Sequence, residues 1–232
     1  MPASKQFVAE VIGTFFLCFA GIGAIISTSA PISSGAGLLG IALAHGLALS
    51  VAVSIFAGIS GAHFNPAVTV GMLSAGRIDP PRAGIYIVAQ LIGATLAAFL
   101  CNVIYHPAAV TEAKLGIPLP PDGTGYLIVL LTEFILTFLL MTAIYGTAVD
   151  ERAPGMKLAG FAIGLTVAFD ILAAGKVTGA SMNPARSFGP ALIFGDFSYH
   201  WCYWVAPIAG AVAAAQLYEK VLLEPAPRAD QR

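Results

Sequence analysis

The sequence predicts an all-α membrane protein with six transmembrane helices and two shorter helices that enter the bilayer without crossing it. Three observations support this prediction: the scarcity of charge, six long apolar stretches, and the tripeptide Asn-Pro-Ala, which occurs twice. Only 10% of the 232 residues are charged and 58% are hydrophobic, whereas soluble domains carry about 25% charged residues. A surface so poor in charge needs lipid around it. The net charge of −1 gives no electrostatic reason to expect a nucleic-acid partner.

Six apolar stretches are long enough to cross a bilayer, which takes about 20 mostly apolar residues in a helix. The first stretch is longer than the roughly 7–15-residue core of a signal peptide, and no convincing cleavage site follows it, so we expect a retained membrane helix. The segments between stretches are rich in Gly, Pro and Ser, which is typical of loops. The predicted spans are residues 6–28, 38–59, 82–104, 125–148, 157–175 and 201–223.

The Lys and Arg residues predict the orientation of the spans. With the N-terminus in the cytoplasm, eight of the eleven lie on the cytoplasmic side and three on the outer side. Cytoplasmic loops are enriched in these residues, so we expect both termini in the cytoplasm, and a cell membrane, plasma or inner, ahead of an internal membrane. The eight are Lys5, Arg77, Arg82, Arg152, Lys157, Lys220, Arg228 and Arg232.

The two halves of the chain resemble each other. The segment "YIVAQLIGATLAA" from Tyr86 is similar to "YWVAPIAGAVAAA" from Tyr203, and the two Asn-Pro-Ala asparagines lie 118 residues apart. Each half has three spans, an odd number, so the second half must be inverted relative to the first. We expect a first repeat at 1–120 and a second at 121–232 within one domain. Inverted repeats place a functional site near the bilayer midplane.

Each Asn-Pro-Ala predicts the start of a short helix, over residues 66–75 and 184–194. Asn is a preferred N-cap, and Pro suits the first helical position. Two such helices entering from opposite faces would meet N-terminus to N-terminus, each end with about half a positive charge. Facing a narrow passage, these ends repel cations, protons included. Two ordinary loop turns are the alternative, which the in-register repeat disfavours. The motif residues are Asn65, Pro66, Ala67, Asn183, Pro184 and Ala185.

The segments "SGAHFNPAVT" and "GASMNPARSFGPA" resemble the signatures of aquaporins, the major intrinsic protein family, and the likeness extends along nearly the whole chain. The resemblance implies the aquaporin fold, a homotetramer with one pore per subunit, and Asn65 and Asn183 as donors to the passing molecule. The sequence has no nucleophile–base pair or metal cluster, so we expect neither an enzyme nor a cofactor or metal. Three cysteines in apolar runs, without metal-ligand spacing, are expected to be buried thiols: Cys18, Cys101 and Cys202.

The resemblance also implies a selectivity filter, whose positions fall on His45, Ile171, Ala180 and Arg186. Strict water channels usually have an aromatic residue in place of His45 and a His in place of Ile171, and glycerol channels pair two aromatics with the Arg. The set is most similar to that of plant tonoplast intrinsic proteins. Small and apolar groups widen the passage, while His45 and Arg186 are expected to offer donors and Arg186 to repel cations. We expect water and ammonia as substrates, with hydrogen peroxide and urea as weaker candidates.

Three acidic residues lie inside the first, fourth and fifth predicted spans, where ionisable groups are expensive and often functional. Glu10 and Glu133 occupy matching positions of the two halves. One hypothesis is that they accept backbone N–H bonds and hold the loops before the short helices, which the family resemblance supports, and the other is a proton relay. Asp170 has three open roles: pairing with Lys176, capping loop backbone, or facing the pore.

Two other functions remain open on the same sequence. A glycerol facilitator would share the fold, but four further positions match the family's water pattern. An ion-coupled secondary transporter would need ion-coordinating acids at mid-depth, and only the three acids above are available. The four positions are Ser187, Ala191, Tyr203 and Trp204.

Overall fold

The structure, a computed structural model, describes residues 1–29, 37–152 and 158–223. These ranges are helical, with nine α-helices and no strand among them. Lys157, Arg228 and Arg232, which entered the orientation argument, lie outside the described residues. The helices are α1 (Ala3–Ser29), α2 (Gly37–Ser60), α3 (Pro66–Ser74), α4 (Pro80–Ile104), α5 (Pro107–Glu112), α6 (Tyr126–Ile144), α7 (Ala159–Thr178), α8 (Pro184–Phe194) and α9 (Cys202–Leu217).

The long helices follow the six predicted spans. Five helices of the described part are long and apolar enough to cross a membrane: α1, α2, α4, α7, and α6 with its π-helical end at Tyr145–Val149. The sixth, α9, has 16 residues and continues as a π-helical turn over Tyr218–Leu222. The all-α membrane fold predicted from the sequence is therefore confirmed. The short helix α5 and the 3₁₀ turn Lys114–Gly116 after it were not predicted.

The helices pack in matched pairs. α1 packs on α2 and α4, and α6 packs on α7 and α9. At the crossing of α2 with α7, a Cβ on Gly46 would lie 2.6 Å from the carbonyl oxygen of Gly164, so the two backbones are in contact. α3 rests on α9 and α8 rests on α4, so each short helix is supported by a long helix of the opposite half. The repeat boundary at residue 120 stays a prediction.

The polarity of the molecule suits a lipid environment. Large apolar side chains cover the outward faces, as on α2, where Leu43, Leu47, Val51 and Ile55 are all exposed. The interior holds acids and amides that are fully buried, among them Glu10 and Gln90. The three cysteines are buried and free, as expected. Polar groups inside and apolar groups outside are the arrangement that lets backbone loops line an internal passage.

Candidate functional site

Each short helix is capped by the asparagine that precedes its proline. The Asn65 Oδ1 atom accepts the backbone N–H of Ala67 at 2.8 Å. The Asn183 Oδ1 atom accepts the N–H groups of Ala185 at 3.0 Å and Arg186 at 3.2 Å. Both asparagines have extended backbones, as N-caps do. Because each amide oxygen is used by its own helix, each amide NH₂ group points away from it.

The two helix N-termini meet. The Asn65 Nδ2 atom donates to the carbonyl oxygen of Met182 at 2.8 Å, and the Asn183 Nδ2 atom donates to that of Phe64 at 2.9 Å. These reciprocal bonds tie the two loops together across the interface between the halves. Each NH₂ group has two hydrogens, so one of them is left for a molecule in the passage.

The loops before the two short helices share an unusual backbone. In each, a glycine at a φ of 85° is followed by residues with positive φ, which side chains with a Cβ rarely adopt. The same three positions relative to each asparagine are involved, so the strained course is repeated. The residues are Gly61, Ala62 and Phe64 in the first loop, and Gly179, Ala180 and Met182 in the second.

The first loop is held by the carboxylate of Glu10, which is fully buried. It accepts the hydroxyl of Ser60 at 2.6 Å and the backbone N–H groups of His63 at 3.0 Å and Phe64 at 2.7 Å. The amide of Gln90 donates a fourth bond at 2.8 Å. Charge-assisted bonds of this kind are stronger than neutral ones, and here they bind the left-handed segment to α1.

Glu133 makes the corresponding bonds to the second loop. It accepts the hydroxyl of Thr178 at 2.7 Å and the N–H groups of Ser181 at 3.0 Å and Met182 at 2.7 Å. Neither Glu10 nor Glu133 is among the described residues that line the cavity. These contacts favour the loop-holding hypothesis over a proton relay.

A cavity of about 480 Å³ passes the meeting point of the two short helices. Both asparagines and all four filter residues line it, so the structure brings the sequence-predicted groups to one passage. The prolines and alanines of the two motifs lie behind the wall, buried in the first turns of α3 and α8. The predicted residues on the wall are Asn65, Asn183, His45, Ile171, Ala180 and Arg186.

The charged side chain among the predicted filter residues is Arg186, which is only 3% exposed. Its Nη1 atom donates to the carbonyl oxygen of Gly116 at 2.7 Å, and its Nη2 atom lies 3.4 Å from the Nε2 atom of His45. The His45 Nδ1 atom bonds to the carbonyl oxygen of Ile41 at 2.8 Å. A carbonyl only accepts, so the ring proton is on Nδ1 and Nε2 is an acceptor facing Arg186. The expectation that His45 offers a donor is therefore wrong.

Three wall and support groups were not singled out from the sequence. The carbonyl of Gly116, in the 3₁₀ turn, orients Arg186. His63 and Ser181 both line the cavity, each two residues before its asparagine. The His63 Nδ1 atom lies 3.1 Å from the hydroxyl of Thr69, and Ser181 bonds the hydroxyl of Ser187. The sequence did contain a signal for His63 and Ser181, because the two residues occupy the same position relative to the asparagine of each repeat.

Within the part of the chain that the structure describes, Asp170 has none of the three roles considered for it. Its side chain is fully buried, and neither carboxylate oxygen has a hydrogen-bond partner among the residues that the structure describes. Lys176 is exposed and forms no ion pair with it within that part of the chain. Six residues along a helix turn through about 600°, which puts the two side chains on different faces. Asp170 is also absent from the described cavity wall.

Comparison with known proteins agrees with this geometry. A family model described as "Major intrinsic protein" matches residues 1–218. Aquaporin TIP4-4 of Zea mays is 41% identical, over 97% of this chain and 92% of its own length. Aquaporin TIP2-1 of Arabidopsis thaliana is 42% identical, over 96% of this chain and 89% of its own length.

A solved structure has the same fold. The X-ray structure of the aquaglyceroporin from Plasmodium falciparum superposes with a TM-score of 0.87 at 27% sequence identity. The match covers 95% of this chain and 97% of the other. The arrangement of long and short helices described above is therefore found in an experimental structure of similar size.

Proposed function

The chain belongs to the major intrinsic protein family and is a multi-pass membrane channel rather than an enzyme, and from this premise we propose that it conducts water and ammonia while excluding protons and ions. The observation that supports the proposal is the single cavity lined by both asparagines and by the four filter residues. A wall built from fixed, mutually bonded loops suits passive flow along a gradient.

Proton exclusion follows from the way the two helix ends meet. Each asparagine keeps one amide hydrogen for the passage, so a water molecule between them accepts twice through its oxygen. A water held in this way cannot continue a donor chain through the centre. The two helix N-termini add positive potential at the same place, and Arg186 adds a full charge farther along the cavity. Cations therefore meet repulsion at two successive levels.

Ammonia is proposed as the second substrate because the constriction holds few polar groups. Ile171 and Ala180 contribute apolar surface, and the single ring N–H of neutral His45 is used on Ile41. Such a constriction replaces few of the hydrogen bonds that a solute makes in water, so it penalises ammonia, which is hydrated less strongly than water, less than it penalises solutes with more hydrogen-bonding groups. Hydrogen peroxide and urea are weaker candidates on the same argument.

The assembly proposed is a homotetramer with one pore per subunit, in a bilayer, with both termini in the cytoplasm. The exposed apolar faces of the long helices supply surface for both lipid and subunit contacts. The preference for a cell membrane over an internal one gains no support from the relatives, which are aquaporins of the TIP type, and it stays a prediction.

Stopped-flow measurements on vesicles that contain the purified protein test the substrates. We expect fast light-scattering changes after an osmotic step, fast internal alkalinisation after an ammonia gradient, and glycerol flux no greater than in empty vesicles. Fast glycerol flux with slow water flow would favour the glycerol facilitator instead. Solute flux that needs an ion gradient would favour the secondary transporter.

A substitution in the predicted filter tests the route that ammonia takes. Replacing Ala180 with Phe fills part of the cavity that Ala180 and Arg186 both line, so ammonia flux should fall toward that of empty vesicles. Ammonia flux that survives the Phe unchanged would contradict the placement of Ala180 in the filter.

A further inference from the structure

A glycine on α1 lies directly against the imidazole ring of the filter histidine. A Cβ atom built on Gly21 would overlap the His45 ring, with Nε2 as the nearest atom and the two adjacent carbons next. Gly21 is buried and is not among the described residues of the cavity wall. The ring thus occupies the space that a side chain on Gly21 would take.

We propose that Gly21 is a positioning residue for the constriction, which gives the His45 ring a recess and so sets the width of the passage. The inference rests on the proposed function of His45 as a filter residue. Gly21 itself does not contact the solute. It affects permeation only by allowing the His45 ring to lie against α1.

The ring is restrained on its other sides, which determines where it would move. Its Nδ1 atom is bonded to Ile41 on the same helix, and its Nε2 atom faces the Nη2 atom of Arg186. A methyl group on Gly21 presses on the Nε2 end, while the Nδ1 end stays tethered. The free end then swings away from α1, toward the cavity that His45 lines and toward Arg186.

This displacement narrows the filter and disturbs its charged group. Arg186 is held on its other side by the carbonyl of Gly116 at 2.7 Å, so it has little room to retreat from the ring. The permeability to ammonia, the larger solute, should therefore fall more than the permeability to water. We expect Gly21→Ala to lower the ratio of ammonia to water permeability roughly tenfold, the lower end of what one carbon atom changes in a fitted pocket.

Gly23→Ala is the matched control on the same helix. Its Cβ would lie 2.7 Å from the hydroxyl of Tyr105, a side chain that is not among the described residues of the cavity wall. The variant adds a Cβ to the same packed helix, with a milder overlap than at Gly21, and without touching the filter. Its ammonia-to-water ratio should equal that of the wild type.

A double-mutant cycle separates positioning from general packing. In a His45→Ala background there is no ring to displace, so adding Gly21→Ala should leave the permeability ratio unchanged. If the single variant does not reach the membrane, the double variant should, because removal of the ring removes the overlap. A double variant that also fails to assemble, or that shows the full tenfold fall, would overturn the role of Gly21.

The flux through wild-type vesicles distinguishes a failure of the proposed channel function from a failure of the proposed role of Gly21. Wild-type vesicles without water or ammonia flux would overturn the proposed function. Wild-type vesicles that conduct both, combined with a Gly21→Ala variant of unchanged ratio, would overturn only the inference about Gly21.

Discussion

The loops before α3 and α8 have the same framework. Each ends in an asparagine cap and each is bound by a buried carboxylate. A tyrosine hydroxyl also closes each loop: Tyr86 donates to the carbonyl of Ser60, and Tyr203 donates to that of Thr178. The repeated framework aims both helix N-termini at one point, and the proposed exclusion of charge depends on it.

The side chains that these loops place on the cavity wall differ. Three residues after the asparagine, the first half has Val68 and the second has Arg186; two residues before it, the first has His63 and the second has Ser181. The wall is therefore asymmetric although its backbone is repeated. The comparison separates two properties: the shared bonds determine where the helices meet, and the proposed selectivity among neutral solutes depends on the unshared side chains.

The supports of the two loops also differ in one bond. Glu10 receives four donors, including Gln90, whereas Glu133 receives three. The repeat places Pro207 where the first half has Gln90, and proline has no side-chain amide. The second loop, which holds the charged constriction, thus depends on fewer bonds.

The largest effect is expected from Glu133→Gln. An amide nitrogen would face N–H donors of the loop, and leaving such groups unmatched should lower the free energy of unfolding by about 3 kcal/mol. Glu10→Gln should cost about half of that, because the Gln90 Oε1 atom, which has no hydrogen-bond partner among the described residues, can accept from the new amide.

Thermal unfolding in detergent checks this order. The midpoint of Glu133→Gln should lie below that of Glu10→Gln, and both should lie below the wild type. Equal midpoints would mean that Gln90 gives the first loop no advantage.

A several-fold change in selectivity is expected from Arg186→Val, which copies the residue at the matching position of α3. The substitution removes the charged group of the constriction and its bond to Gly116. Ammonia permeability should rise relative to water, and proton leakage should become measurable in vesicles with an imposed potential.

Val68→Ala, on the opposite short helix, is the control for this change. Val68→Ala enlarges the cavity without altering the charge on its wall, so proton leakage should stay at the wild-type value. Leakage from both variants alike would show that width, not the charge of Arg186, limits proton passage.

The sequence predicted best those features that depend on the type of residue and on its spacing along the chain. Apolar length predicted the spans, and Asn-Pro predicted the starts of α3 and α8, because an N-cap and a proline act on their own helix. The carbonyl of Gly116 could not be found in this way, since every residue has a carbonyl and only the fold selects the one that meets Arg186.

His45 shows the same limit in a side chain. Its position was predicted, but its proton is determined by the carbonyl of Ile41 and its orientation by the recess at Gly21. Both are contacts of packed helices. Asp170 is the opposite case, since its sequence neighbours suggested partners that the helix geometry keeps away from it.

The smallest expected effect concerns the ion pairs beyond the C-terminal ends of the two short helices. Beyond α3, Arg77 forms two hydrogen bonds with Glu219, whereas beyond α8 the nearest cation to Asp196 is Lys114 at 3.9 Å. The first pair is two-pronged but partly exposed, so Arg77→Gln should lower the free energy of unfolding by about 0.5–1 kcal/mol. Lys114→Gln should leave it unchanged within measurement error.

Acid unfolding tests why the pair Lys114–Asp196 is expected to contribute so little. The pKa of Asp196 lies below its usual range chiefly because Ser198 donates to the carboxylate, with Lys114 as the weakest influence. A lowered pKa in the folded state means that the stabilisation is present above the usual aspartate pKa and is lost as the pH falls from there through the lowered pKa. The wild type and Lys114→Gln should therefore lose the same stability below about pH 4, and Asp196→Asn should lose less. A Lys114→Gln variant with a flattened acid limb would instead make Lys114 the main partner of Asp196, and the ends of α3 and α8 would then be anchored alike.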